Sequence, residues 1–182
     1  MIVILIGNIG VGKSTIANII LNQHKDADYV SIDDIRKKNG DGSKDKENHC
    51  KDIFIESINF NARIQVIELT GVGVLGVRLF ELLSNYKQPI LVFHLIVPFD
   101  ILLCRAKKKK WNIPFPFGEE NIFTAIRYTE DRFNEGLAER LVAKCNNALL
   151  ISLVNENETM MNNNLKIIFE KIDYYFNKKK NV

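Results

Sequence analysis

Cysteine is scarce in this chain and badly placed for cross-linking. Cys50, Cys104 and Cys145 are odd in number, far apart and in no C-x-x-C pair. That spacing excludes a disulfide framework and predicts reduced thiols serving as small core hydrophobes. Histidine is equally thin: His24, His49 and His94 show no metal-ligand spacing, so no zinc site is expected, and His94 is expected in the core. Long apolar runs are missing too. The longest candidate, Ile90 to Val97, is interrupted by His94 and is strand-sized, which excludes a membrane-spanning helix. The first apolar run stops at Gly7 with no basic segment before it, unlike a signal peptide, so a cytoplasmic address is the expectation. Neither sign of charge dominates. A net charge of +3 permits anionic ligands without demanding nucleic acid. What remains is ordinary: 46% hydrophobic and 26% charged over 182 residues, read as one domain spanning residues 1–182 that can bury its core without staples.

Against this plain background one stretch stands out, Gly7-Asn8-Ile9-Gly10-Val11-Gly12-Lys13-Ser14-Thr15. It satisfies G-x-x-x-x-G-K-[ST] at every fixed position. Ile2 to Ile6 before it is a β-branched apolar run suited to a buried parallel strand, and Ile16, Ile19 and Ile20 after it recur at helical spacing. The chemistry accounts for the pattern. Glycines let main-chain amides close in on a polyphosphate, and a helix N-terminus adds unpaired donors and partial positive charge. Residues Asn8 to Thr15 are therefore expected to cradle ATP, with Lys13 reaching the β- and γ-phosphates and the Ser14 hydroxyl holding Mg²⁺.

Further along, strands are expected at Tyr29 to Ile32, Ile64 to Leu69, Ile90 to Val97 and Ala148 to Val154. Helices are expected from Asp33-Asp34, over Glu47 to Arg63, around Leu75 to Leu83, over Phe99 to Lys108, from Glu119-Glu120 to Phe133, at Leu137 to Val142 and over Glu158 to Phe176. Asn39 to Lys46 reads as a polar break, and Lys178-Lys179-Lys180 as a solvated tail. Strands alternating with helices predict an α/β fold: a five-stranded parallel sheet with helices on both faces, and a short lid over about 107–118.

Ligands in such sheets bind beyond the carboxyl ends of the strands. Three strand ends carry chemistry: Gly7 onward, Asp33-Asp34, and Glu68 to Gly71. Asp33 can take the proton from an acceptor hydroxyl and Arg36 can fix an anionic part of that acceptor; equally, Asp33 or Asp34 can cap a helix with Arg36 as surface partner. Glu68 can hold Mg²⁺ through water, or face solvent as a strand-end carboxylate. Arg105 and Lys109, one helical turn apart, can neutralise a transferring phosphoryl group from the lid, or belong to a solvated face. Trp111, Phe115 and Phe117 can grip a base or pack the loop onto the core.

With these residues in place, the chain resembles the P-loop kinase group that includes polynucleotide 5′-hydroxyl kinases, zeta-type toxins and chloramphenicol phosphotransferases. The resemblance rests on Gly7 to Thr15, on Val30-Ser31-Ile32-Asp33-Asp34-Ile35-Arg36, and on Val97-Pro98-Phe99 leading into Arg105 and the lysines. It implies the P-loop NTPase fold, ATP and Mg²⁺, Asp33 as general base, and Arg36 on the acceptor's phosphate. The lid Arg of the group aligns best with Lys109, with Arg105 or Arg127 able to take its part. Adenylate kinases share the element order, but Glu68-Leu69-Thr70-Gly71 stands where their D-G-F-P-R lies. A kinase acting on a hydroxyl of a small molecule or a polynucleotide end is thus the first expectation. A nucleoside monophosphate kinase and a slowly hydrolysing nucleotide switch are the alternatives, and no N-K-x-D guanine-reading motif supports the switch.

Overall fold

A computed structural model of the chain describes residues 1–115, 118 and 121–178. Its elements run β1 (Ile2–Gly7), α1 (Lys13–Gln23), β2 (Asp28–Ser31), α2 (Ile32–Asn39), α3 (Lys44–Glu56), β3 (Gln65–Glu68), α4 (Gly73–Leu83), β4 (Ile90–Ile96), α5 (Phe99–Lys108), α6 (Ile122–Asn134), α7 (Leu137–Val142), β5 (Ala148–Val154) and α8 (Glu158–Lys178). The five strands form one sheet in the order β2-β3-β1-β4-β5, parallel at every pairing.

β1 is central and buried on both faces, which is why its sequence is a continuous apolar run and not an alternation. Successive residues divide between the faces. Val3 and Leu5 join Ile16, Ile20, Leu102, Ile126 and Ile168, from α1, α5, α6 and α8, in one core. Ile2, Ile4 and Ile6 join Ile35, Phe54, Leu79, Phe80 and Leu141, from α2, α3, α4 and α7, in the other. The chain moves outward from β1 to β2 and back to β3, then crosses to β4 on the far side. This reversal leaves a crevice at the carboxyl ends of β1 and β3, where ligands bind in open α/β sheets.

Several expected boundaries move. Ile32 opens α2 and does not end β2, because Ser31 is still extended and stands at the N-cap. α3 starts earlier than Glu47: the Ser43 side chain accepts from the Lys46 amide at 3.3 Å, a capping bond that lies inside the expected break. The same helix ends at Glu56, not Arg63. Cys50 and Cys145 are buried as expected, but Cys104 is exposed on α5, so it is not a core residue. His94 is buried in β4 and stacks on Phe133 at 4.3 Å. Phe117, Glu119, Glu120, Lys179 and Lys180 lie outside the described residues. Among the described residues no helix is long and apolar enough to cross a membrane.

Candidate active site

β1 leads directly into the glycine-rich loop, and close packing dictates the first glycine. Gly7 has φ +138°, and a β-carbon there would meet the Leu95 carbonyl oxygen of neighbouring β4 at 2.4 Å. The loop ends at Gly12, the left-handed N-cap of α1, which offers no side chain to cap the helix. The first helical bond runs from the Ile16 amide to the Gly12 carbonyl at 3.1 Å. The amides of Lys13, Ser14 and Thr15 thus precede the first available intrahelical acceptor, as do the opening donors of any helix. Unpaired donors at a positive helix end are suited to cradle an anion.

The loop is braced from outside. Asn155, just after β5, donates Nδ2 to the Val11 carbonyl at 2.7 Å. Asn8 donates to the Ile126 carbonyl and to Glu130 of α6, both at 2.9 Å, while its own oxygen accepts from the Ile9 amide. Arg105 reaches across from α5 to the carbonyls of Gly10, Asn155 and Glu156 at 3.2, 3.1 and 2.7 Å. This side chain therefore ties the loop to the end of β5. Lys13 folds onto its own loop, donating to the carbonyls of Gly7 and Asn8 at 3.0 and 2.8 Å. A buried ammonium needs such partners. Burial pulls its pKa down, with Glu68 and Asp33 opposing the shift and Lys109 adding to it.

Glu68 ends β3 buried, not facing solvent. One of its oxygens accepts from the Ser14 hydroxyl at 2.7 Å, the other from the Tyr29 hydroxyl. An all-oxygen pair made of hydroxyl and carboxylate, placed where β1 and β3 lie side by side, suits a hard divalent cation such as Mg²⁺. Burial, and then the Glu68 carboxylate, push the Tyr29 pKa above the ordinary tyrosine range, so its hydroxyl remains a donor.

On α2, neither Asp33 nor Asp34 caps the helix through its side chain. Asp34 pairs with Lys37 at 3.1 Å on the exposed side. Asp33 accepts from Arg36 Nη1 at 3.0 Å through one oxygen. Arg36 also gives Nε and Nη2 to the two oxygens of Glu47 on α3, at 2.9 and 2.7 Å. It is part-buried, so it is not a surface partner for the helix. Burial works to raise the Glu47 pKa, but the Arg36 guanidinium, helped by Lys51, overrides it and holds the carboxyl below its ordinary range.

A single cavity of about 780 Å³ joins these groups. Gly10, Gly12, Lys13, Ser14, Thr15, Asp33, Arg36, Glu68, Arg105 and Lys109 all line it. Lys109 stands at the C-cap of α5 with its Nζ 4.6 Å from the centre of the Trp111 ring. Trp111 and Phe115 also line the cavity, and both pack against the core beneath it. Arg127 instead lies over Phe99. Tyr29, Glu47, Asn155 and Glu130 were not legible as site residues. Asn155 alone carried a signal, its place just after the last strand.

The class these features define is the α/β P-loop NTPase fold, with a glycine-rich loop at the switch point of a five-stranded parallel sheet. No protein-family model and no curated protein matches the sequence. Solved structures do match. Shikimate kinase from Acinetobacter baumannii in complex with shikimate superposes with a TM-score of 0.65 at 15% identity, over 95% of this chain and 93% of that one. Shikimate kinase from Bacteroides thetaiotaomicron gives 0.63 at 10% identity, over 95% and 98%. Deoxyadenosine kinase from M. mycoides with bound dATP gives 0.53 at 14% identity, over 95% and 100%. At these identities the likeness establishes the fold.

Proposed function

We propose that the chain is an ATP-dependent phosphotransferase acting on an alcohol. The observation that carries this reading is that the Asp33 carboxylate and the phosphate loop open onto one cavity, with the Ser14–Glu68 pair between β1 and β3. Bound ATP supplies the phosphoryl group, and Mg²⁺ neutralises charge on its oxygens. The amides of the loop hold the phosphates, and Lys13, a three-donor ammonium with two donors on loop carbonyls, adds charge beside them. Ser14 and Glu68 would hold the metal. Asp33 has one oxygen steadied by Arg36, which leaves the second to take the proton from an incoming hydroxyl. Lys109, and the segment around 107–118 as a lid, would bring positive charge over the transferring group; Arg105 preserves the loop's shape. The fold shared with shikimate and deoxyadenosine kinases is consistent with this chemistry.

Transfer of labelled γ-phosphate to a panel of nucleosides, nucleotides, sugars, oligonucleotide ends and small alcohols tests the reading. With an acceptor in hand, Asp33→Asn should lower kcat by about 10²- to 10⁴-fold, the usual size of a general-base effect, and leave ATP affinity nearly unchanged. A variant retaining most of its turnover would remove Asp33 from the base role.

A further inference from the structure

The part of the cavity lined by α2, α3 and the start of α4 holds Asp33, Arg36, Glu47 and Lys51, whose charges cancel. Every nitrogen of the Arg36 guanidinium already faces a carboxylate: Nε and Nη2 face Glu47, and Nη1 faces Asp33. The other cation here, Lys51, has its Nζ 3.5 Å from the same Glu47 side chain. Two cations thus stand against two carboxylates. The Glu47 side chain is 6% exposed, so it cannot turn into water to release its partners. One face of the guanidinium is covered as well, since Arg36 lies over the Phe115 ring at 5.5 Å. Ile32, Val72, Val74 and Leu75 add apolar wall, beside the hydroxyls of Ser31 and Thr70.

We propose that this part of the cavity takes an uncharged alcohol with an apolar ring or chain face, such as a nucleoside or a sugar-like compound, and that Glu47 excludes acceptors bearing a phosphate or carboxylate. The proposal rests on the phosphotransferase reading and narrows it, because a polynucleotide end carries a phosphate close to its hydroxyl. An anion entering here would meet no net positive charge, and drawing Arg36 away would weaken a buried Arg–Glu pair and leave Glu47 only the more distant Lys51, which is disfavoured. An uncharged alcohol needs only the second oxygen of Asp33 for its proton. Covering Val72, Val74 and Leu75 then favours its binding.

The test is thermal denaturation of the full chain with AMP-PNP·Mg²⁺ filling the phosphate loop, followed by addition of inorganic phosphate or thymidine 3′-monophosphate. Neither anion should raise the Tm of the wild type further. Glu47→Gln should gain affinity for both by about tenfold, since lifting one negative charge leaves Arg36 in excess; a tenfold gain corresponds to about 1.4 kcal/mol. Should Glu47→Gln not fold, Asp33→Asn lifts the other charge at a side chain 37% exposed, and the same gain is expected. Stabilisation of the wild type by either anion, abolished in Arg36→Gln, would overturn the proposal. So would a folded variant that gains nothing. Failure of AMP-PNP·Mg²⁺ itself to raise the Tm would appear before any anion is added, and would sink the nucleotide reading together with this one.

Discussion

Tyr29 is the residue through which the proposed metal role of Glu68 can be separated from its place in the core. Its hydroxyl holds one Glu68 oxygen while Ser14 holds the other, so the carboxylate is aimed by two donors from different elements. Groups that orient a metal-binding carboxylate typically change metal affinity by about 10- to 100-fold when removed. Tyr29→Phe keeps the ring and deletes the donor. It should raise the Mg²⁺ concentration for half-maximal turnover by about tenfold, at a stability cost of about 1 kcal/mol. A Mg²⁺ titration of the transfer or hydrolysis rate reads this directly, and an unchanged midpoint would take Glu68 away from the metal. Both Ser14 and Glu68 could be nominated from sequence, one by its motif and one by its strand end. Tyr29 could not, because it lies 39 positions from Glu68 and meets it only through the pairing of β2 with β3.

At the scale of elements, the approach of α4 to the end of β3 sets the shape of the crevice. Gly76 sits in the first turns of α4, and a β-carbon there would lie 1.9 Å from the Gly71 carbonyl oxygen. The helix therefore rests directly on the loop that follows Glu68. Alanine ordinarily favours a helix over glycine by about 1 kcal/mol. Here the clash reverses the sign: Gly76→Ala should destabilise by about 1–3 kcal/mol or more, as overpacking does, measured by urea denaturation. A neutral or stabilising result would mean that α4 can move outward without loss. α5 shows what periodicity left open. The spacing placed Arg105 and Lys109 on one face, and both do line the cavity, yet Arg105 spends its guanidinium on three carbonyls that bind the loop to the end of β5. Those acceptors lie 50, 51 and 95 positions away, so helical spacing had no information about them.

For the molecule as a whole, two buried groups make stability fall toward acid. Burial lowers the His94 pKa below its ordinary 6.5, with Glu139 opposing, so the folded protein holds this imidazole neutral. Its contribution is complete above about pH 6.5 and is lost as pH falls toward the depressed value, because the unfolded chain takes up the proton first. Glu47, held below its ordinary 4.5 by Arg36, adds a second and more acid step of the same sign. Tm measured against pH should therefore start to drop just below pH 6.5 and drop further below about pH 4.5. His94→Phe should remove the first step and keep the second. A flat Tm between pH 7 and pH 5 in the wild type would contradict the burial argument for His94.

The local parts of this protein were decided by short-range sequence. The phosphate loop, the strand before it and the helix after it are specified within about twenty residues, because glycine geometry and apolar periodicity act between near neighbours. The parallel sheet followed from alternation, and with it the rule that brought Asp33 and Glu68 to the same edge. Tertiary structure alone decided how the site is neutralised and braced: Glu47 against Arg36, Tyr29 against Glu68, and Asn155 against Val11 from 144 positions away. The reason is physical. A buried charge or donor takes whichever partner the packed elements bring within about 3 Å, and no period in the chain records that choice.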